Sequence, residues 1–314
     1  MAKCAWLFLL CSLMTRSLLA DEGGASFWVP GQMGSFAAVP ESSGWSLLIS
    51  YNHARAGASK EHSFQHGDQI SLGMDSSLDL FYLTPTYAFA ESVLGGQLAL
   101  SLGTAFGTGT GTADVRVLTS ADPTLAFHHD DAVIGFADLF PMAALRWGSE
   151  GPDHGLLYLT FNLPTGEYDP DRLVNLGLGF GAVDLGGAYT YWDRDSGLEF
   201  SSTLGFTYNF KNTHTDYQSG IDSHLDLGFS RLLMKQIQLG AVAYAFQQVT
   251  PDQGGGAVLG DFKSRVYGLG PQVSYFFPYG TQSLDANLKV YFEFGAENRP
   301  QGWNSWLNLN VPLK

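Results

Sequence analysis

From Ser283 to Phe294 every second residue is apolar: Leu284, Ala286, Leu288, Val290, Phe292 and Phe294 alternate with Ser283, Asp285, Asn287, Lys289, Tyr291 and Glu293. Successive side chains of a strand point to opposite faces, so this stretch offers one face to lipid and the other to water. The run 198–210 repeats it, with Leu198, Phe200, Leu204, Phe206, Tyr208 and Phe210 opposite Glu199, Ser201, Thr203, Thr207 and Asn209. In 304–313, Leu307, Leu309, Val311 and Leu313 oppose Asn304, Asn308 and Asn310. Weaker copies stand at 45–54, 78–89, 97–106, 136–147, 156–163, 176–192, 223–232, 237–248 and 262–277, which makes about twelve candidate strands. No apolar run of about 18 residues follows residue 20, so helical membrane spans are excluded although the mean hydropathy is close to zero.

The connections are of two kinds. Ala90–Gly96, Gly148–Gly155, Asp193–Gly197, Leu233–Gln236 and Pro278–Gln282 read as tight turns, whereas 55–77, 107–135, 164–175, 211–222, 249–261 and 295–303 read as long loops. Alternating short turns and long loops predict an all-β fold, a transmembrane antiparallel up-and-down β-barrel of a Gram-negative outer membrane. Aromatic residues at strand ends, among them Trp45, Tyr51, Phe89, Phe106, Trp147, Phe161, Phe210, Tyr275 and Trp303, fit the girdles at lipid–water boundaries. A soluble sandwich or lipocalin-like barrel would carry more charge than the 15% present here.

Residues 1–20 read as a cleaved signal peptide: Lys3 supplies a positive start, Trp6 to Leu10 an apolar core, and Ala20 a small residue for cleavage. Cys11 lacks the small residue before it that a lipidated leader needs. Both cysteines, Cys4 and Cys11, fall in this leader, so no disulfide is expected in the exported chain. With Lys3 and Arg16 removed, 14 basic residues face 30 acidic ones, a net charge of −16. Nucleic-acid binding needs a basic footprint and is excluded.

Between the leader and the barrel at 44–314 lies the segment 21–43, apolar but interrupted by Pro30, Pro40, Gly31 and Gly34. It suits neither strand nor helix. It is expected to act as a plug, inside the barrel or across its periplasmic mouth, with Phe27, Trp28, Pro30, Phe36 and Pro40 as contact residues. The plainer alternative is a disordered leader.

Strand parity turns Tyr82, Thr84, Asp138, Arg146, Glu199, His224, Asp226, Lys289, Tyr291 and Glu293 toward the lumen. Such a mixed set braces the wall across neighbouring strands or forms a selective constriction, and bracing is the commoner arrangement. An enzyme reading rests on His53 and Ser305, which share outward parity at one level; the sequence supplies neither an orienting group nor an oxyanion hole of matching parity. No catalytic residue is therefore assigned. His62, His66, His128 and His129 beside Asp130 and Asp131, and the run Glu167-Tyr168-Asp169-Pro170-Asp171, read as solvated loops before metal sites. Acidic loops of this kind can share the divalent ions that bridge lipopolysaccharide. Gly-rich 103–111 lacks the lysine of a phosphate loop and reads as flexible loop. No metal or other cofactor is expected, and nothing marks an oligomer interface.

Several stretches resemble the phenol meta-pathway (SphA-like) outer-membrane family: Gly23-Gly24 through Phe27-Trp28-Val29-Pro30-Gly31-Gln32-Met33-Gly34-Ser35-Phe36 to Pro40, Pro164-Thr165-Gly166-Glu167-Tyr168, Asn209-Phe210-Lys211-Asn212-Thr213, Thr215-Asp216-Tyr217-Gln218-Ser219-Gly220, Leu259-Gly260-Asp261-Phe262-Lys263-Ser264-Arg265, and Glu293-Phe294 with Glu297-Asn298-Arg299-Pro300-Gln301-Gly302-Trp303. The resemblance implies an outer-membrane channel for small hydrophobic or aromatic compounds, without catalytic residues. A structural or surface-interaction barrel with a blocked lumen is the alternative. One departure is the tail: outer-membrane barrels commonly end on an aromatic residue, and this chain ends Val311-Pro312-Leu313-Lys314, a weaker assembly signal.

Overall fold

A computed structural model describes residues 26–66, 69–117, 126–148, 150–257, 263–280 and 282–313, so the expected signal peptide lies outside the described residues. Thirteen strands run in order: β1 (Gly44–His66), β2 (Gln69–Val93), β3 (Gly96–Val117), β4 (Ala126–Phe136), β5 (Phe140–Trp147), β6 (Asp153–Asn162), β7 (Ala182–Asp193), β8 (Leu198–Asn209), β9 (Asp222–Met234), β10 (Ile237–Gln248), β11 (Arg265–Tyr279), β12 (Gln282–Glu297) and β13 (Gln301–Pro312). Each pairs antiparallel with its neighbours, and β1 pairs with β13, which closes the sheet. β4 and β5 both pair with β3, β4 along Phe106–Arg116 and β5 along Gln97–Gly103. They are two pieces of one stave, so the thirteen strands make a closed barrel of twelve staves. Closure of β1 on β13 leaves, among the described residues, no free sheet edge except the outer edge of β4.

Polarity is inverted relative to a water-soluble fold. On β8, Phe200, Leu204, Phe206 and Tyr208 are exposed, while Glu199, Ser201, Thr203, Thr207 and Asn209 are each no more than 2% exposed. On β6, Leu157, Leu159 and Phe161 face out and Tyr158, Thr160 and Asn162 face in. A surface this apolar is stable only against hydrocarbon, and the buried polar face holds because its groups bond one another.

Four sequence expectations need correction. The stretches 55–77, 107–135 and 295–303 are largely strand: β1 and β2 form one long hairpin, β3 runs on to Val117, and only 298–300 separate β12 from β13. Gly-rich 103–111 is accordingly wall. There Gly103, Ala105, Gly107, Gly109 and Gly111 face inward and Thr104, Thr108 and Thr110 outward, so hydropathy is flat although the backbone alternates. Strands of 22 to 25 residues exceed the span of a bilayer. Third, His128 and His129 lie on β4, and His62 and His66 on β1, where loops were expected. Fourth, the strand expected at 136–147 is broken at 137–139. The break lets Asp138 turn inward, 3% exposed, to organise the connection that follows β6.

That connection, 163–181, folds into the barrel. Leu173 and Val174 pack on Met74, Ala113 and Val133, and their N–H groups donate to Asp131 Oδ2 at 3.0 and 3.2 Å. A Cβ at Gly111 would stand 2.5 Å from Val174 Cγ2 and one at Gly109 2.7 Å from Cγ1, so the bare wall of β3 makes room for this loop. Among the described residues the other edge of β4 has no strand partner.

Candidate functional site: the barrel interior

The turns β2–β3, β5–β6, β7–β8, β9–β10 and β11–β12 gather at one end with both ends of the barrel chain, here the turn end; the opposite rim is the loop end. Between them, residues 26–43 lie against inward side chains of β3, β5 to β9, β11 and β12. Trp28 is fully buried, stacked on His224 with ring centroids 3.7 Å apart and on Tyr158 at 5.7 Å. His224 Nε2 stands 3.0 Å from Asp184 Oδ2, which also accepts the Thr207 hydroxyl at 2.6 Å.

Two opposite charges hold the middle of the segment by its backbone. The N–H groups of Gly31 and Met33 donate to the Asp226 carboxylate at 3.0 and 3.3 Å. Lys289 Nζ donates to the carbonyls of Gly31, Gln32 and Met33 at 2.7, 3.1 and 3.0 Å. Both wall residues are 2% exposed, so these charge-assisted bonds form away from water, where they are strongest. Gly31 has φ +81°, and a Cβ there would stand 2.7 Å from Tyr291 Cε2, so this crossing needs glycine.

Further along, Phe36 takes φ +65°, a conformation costly for a bulky residue. Its N–H bonds Ser201 Oγ at 2.9 Å and Glu199 Oε1 at 3.1 Å, and its ring meets Trp192 and Phe276 edge-on. Glu199 also accepts the hydroxyls of Ser201 and Ser230. At the turn end, Gln97 and the Glu41 backbone bond reciprocally at 2.9 and 2.8 Å, and Arg146 pairs with Glu41 at 3.0 Å.

A cavity of about 1140 Å³ runs beside the segment. Of the residues that parity turns inward, Tyr82, Thr84, Asp138, Arg146, Lys289 and Glu293 line it. Glu199, His224, Asp226 and Tyr291 are buried instead between wall and segment. Phe27, Pro30, Phe36 and Pro40 face the cavity, while Trp28 is sealed off. Asp138 serves as a brace: it accepts Asn162 Nδ2 at 2.8 Å and the N–H groups of Gly166 and Leu178 at 2.8 and 2.9 Å. Sequence reasoning passed over Tyr158, Asp184, Tyr244 and Trp306. Their inward parity was readable, but nothing in composition singled them out.

On the outer face the register places Ser305 opposite His53 and His53 opposite Asp79. Asp79 Oδ1 lies 2.8 Å from His53 Nδ1 and accepts the Tyr51 hydroxyl, which corrects the expectation that His53 has no orienting group. His53 and Asp79 both lie on strands expected from the sequence, and the register of the β1–β2 hairpin brings them together. Among the described residues no hydrogen bond joins His53 to Ser305. His128 meets Asp114 and Asp130 at 3.2 and 3.3 Å, and no described cluster of three or more such groups is arranged to hold a metal ion.

The sequence model of the MetA-pathway of phenol degradation family matches residues 59–309. Among solved structures, the COG4313 outer membrane channel from Pseudomonas putida F1 is similar over 89% of this chain and 99% of its own, with 15% identity and a TM-score of 0.70, which shows a shared fold. A FadL homologue from Pseudomonas aeruginosa aligns over 94% and 98% of the two chains at 10% identity and a TM-score of 0.47. The transport unit of the autotransporter AIDA-I from Escherichia coli aligns over 93% and 95% at 9% identity and 0.48. No curated protein sequence matches the chain.

Proposed function

The chain belongs to the MetA-pathway of phenol degradation family, and on that premise we propose that it is an outer-membrane channel for passive uptake of small hydrophobic or aromatic compounds, with residues 26–43 as its closure. The reading sets the barrel in outer-membrane lipid beneath lipopolysaccharide, turn end toward the periplasm, after export and removal of residues 1–20. The carrying observation is the cavity of about 1140 Å³: its lining runs from Arg299 and Pro300 at the loop end to Trp45, Lys235 and Pro312 at the turn end. Leu78, Leu80, Tyr82, Phe140, Phe180 and Trp306 give it an apolar wall between those rims. Apolar lining with a few placed polar groups suits a small hydrophobic solute.

The fastening of Gly31 to Met33 by Asp226 and Lys289 favours a second reading, a structural barrel with a permanently blocked lumen. Solute flux separates the two. In proteoliposomes the channel reading expects an aromatic hydrocarbon to enter faster than a disaccharide and faster than into protein-free vesicles. No acceleration of any solute would overturn it in favour of the structural barrel.

A further inference from the structure

The cavity wall reverses the charge balance of the chain, and resting on the channel reading we infer that the passage is selective for the anionic form of its solutes, aromatic or alkyl carboxylates. The whole sequence holds 16 Lys and Arg against 30 Asp and Glu. Around the cavity the basic side chains Arg146, Arg194, Lys235, Lys289 and Arg299 stand against Glu41, Asp138, Asp285 and Glu293. An acidic protein thus lines its interior with five cations against four anions, and the engagement of each group tilts the balance further.

The acids are occupied. Glu41 is paired with Arg146, and Asp138 bonds the three donors described above. Glu293 accepts the Tyr244 hydroxyl through one oxygen at 2.6 Å and the Gly302 N–H through the other at 2.7 Å. Asp285 accepts the Ser283 hydroxyl. The basic groups at the two rims have no such partners: among the described residues no ion pair involves Arg194, Lys235 or Arg299. Arg299 sits in the short connection between β12 and β13, its guanidinium carbon 4.7 Å from the centre of the Phe246 ring, and its Nε and Nη1 have no acceptor. At the turn end Arg194 lies 4.5 Å from the centre of Trp192. An arginine held over an aromatic ring without an acidic partner keeps its charge for a carboxylate, while the ring beside it suits the apolar body of the same molecule. Below Arg299 the wall continues with Asn304 and then Trp306, whose buried indole N–H also lacks an acceptor. Fixed charges at the mouths of a low-dielectric passage concentrate ions of opposite sign and exclude their own.

The test is made on the full barrel in zwitterionic bilayers. Under a potassium chloride gradient the reversal potential takes the sign of an anion-preferring pore, although the protein is acidic. In proteoliposomes the benzoate to benzyl alcohol flux ratio exceeds the benzylamine to benzyl alcohol ratio. In the triple variant R194Q/K235Q/R299Q the benzoate ratio falls roughly tenfold, and R299K keeps more of it than R299Q. Ratios taken within one preparation are insensitive to how much of a variant folds. A cation-preferring or non-selective reversal potential, or benzoate ratios equal in the wild-type chain and the triple variant, overturns the inference and leaves the channel reading standing. Absence of flux for all three compounds overturns both.

Discussion

Lys289 donates a hydrogen bond to the carbonyl of Gly31 at 2.7 Å, across 258 residues of sequence. The contact ties barrel wall to N-terminal segment, and with Asp226 on the N–H side it grips the peptide groups of a single turn from both ends of their dipoles. Replacing Lys289 by Met removes three charge-assisted bonds and leaves Asp226 buried without its counter-charge. The segment should dock less tightly by about 3 kcal/mol. Amide exchange at Gly31 and Met33 should accelerate accordingly while the β8 and β9 amides keep their protection. Equal protection in K289M and the wild-type chain would contradict the fastening.

Gly31→Ala should weaken the same docking by at least about 1 kcal/mol, because the added carbon enters a left-handed conformation and meets Tyr291. The second variant Tyr291→Ala relieves the clash and leaves the conformational cost. A double-mutant cycle on segment exchange should therefore show a coupling between 31 and 291, and strict additivity would count against the geometry.

At the loop end, Asp138→Ala should free the connection 163–181. Three donors lose their acceptor, at a cost of about 3 kcal/mol. Limited proteolysis between 164 and 178 should become fast in D138A and stay slow in D138N, which retains one carbonyl acceptor. Resistance in both would refute the bracing role.

Outside the barrel wall, Asp216 pairs with Lys211 in the connection between β8 and β9. The hydrogen bond from Lys211, helped by that ammonium's charge and by the N–H of Gly255, holds the carboxyl below its ordinary value near 3.8 against the cost of desolvation. A depressed carboxyl stabilises the fold above its unfolded value, and that contribution is lost as pH falls through the folded value. The local stabilisation is thus constant above about pH 4 and disappears in more acid solution. The Gly255 amide resonance should titrate with a midpoint below 3.8 and stop titrating in D216N. A midpoint at or above 3.8 contradicts the pairing.

How far these features could be read in advance depended on what lay outside each strand. Where lipid faces one side, as along 198–210 and 283–294, apolar and polar residues alternate and the strand stands out. Where the inward residues are small and pack on the connection 163–181, as the glycines of β3 do, the alternation of hydropathy vanishes and the same backbone looked like loop. The interior was legible as a set of inward residues but not as partners. Parity turns Lys289, Asp226 and Glu199 inward without revealing that the first two hold peptide groups of 31–33 and the third an N–H of Phe36. Those partners belong to a segment with no period of its own, and its path is fixed by individual bonds.

The proposed control of passage by residues 26–43 can be tested reversibly, since the only cysteines, Cys4 and Cys11, precede the strands in the sequence. Ser35 Oγ and Ser230 Oγ are 3.4 Å apart, close enough for a disulfide in S35C/S230C made on a C4S/C11S background. The decisive measurement is aromatic hydrocarbon flux into proteoliposomes before and after reduction of that bond. Several-fold faster flux after reduction, returning to the low value on reoxidation, is the result predicted for a channel closed by this segment; equal flux in the two states would contradict it.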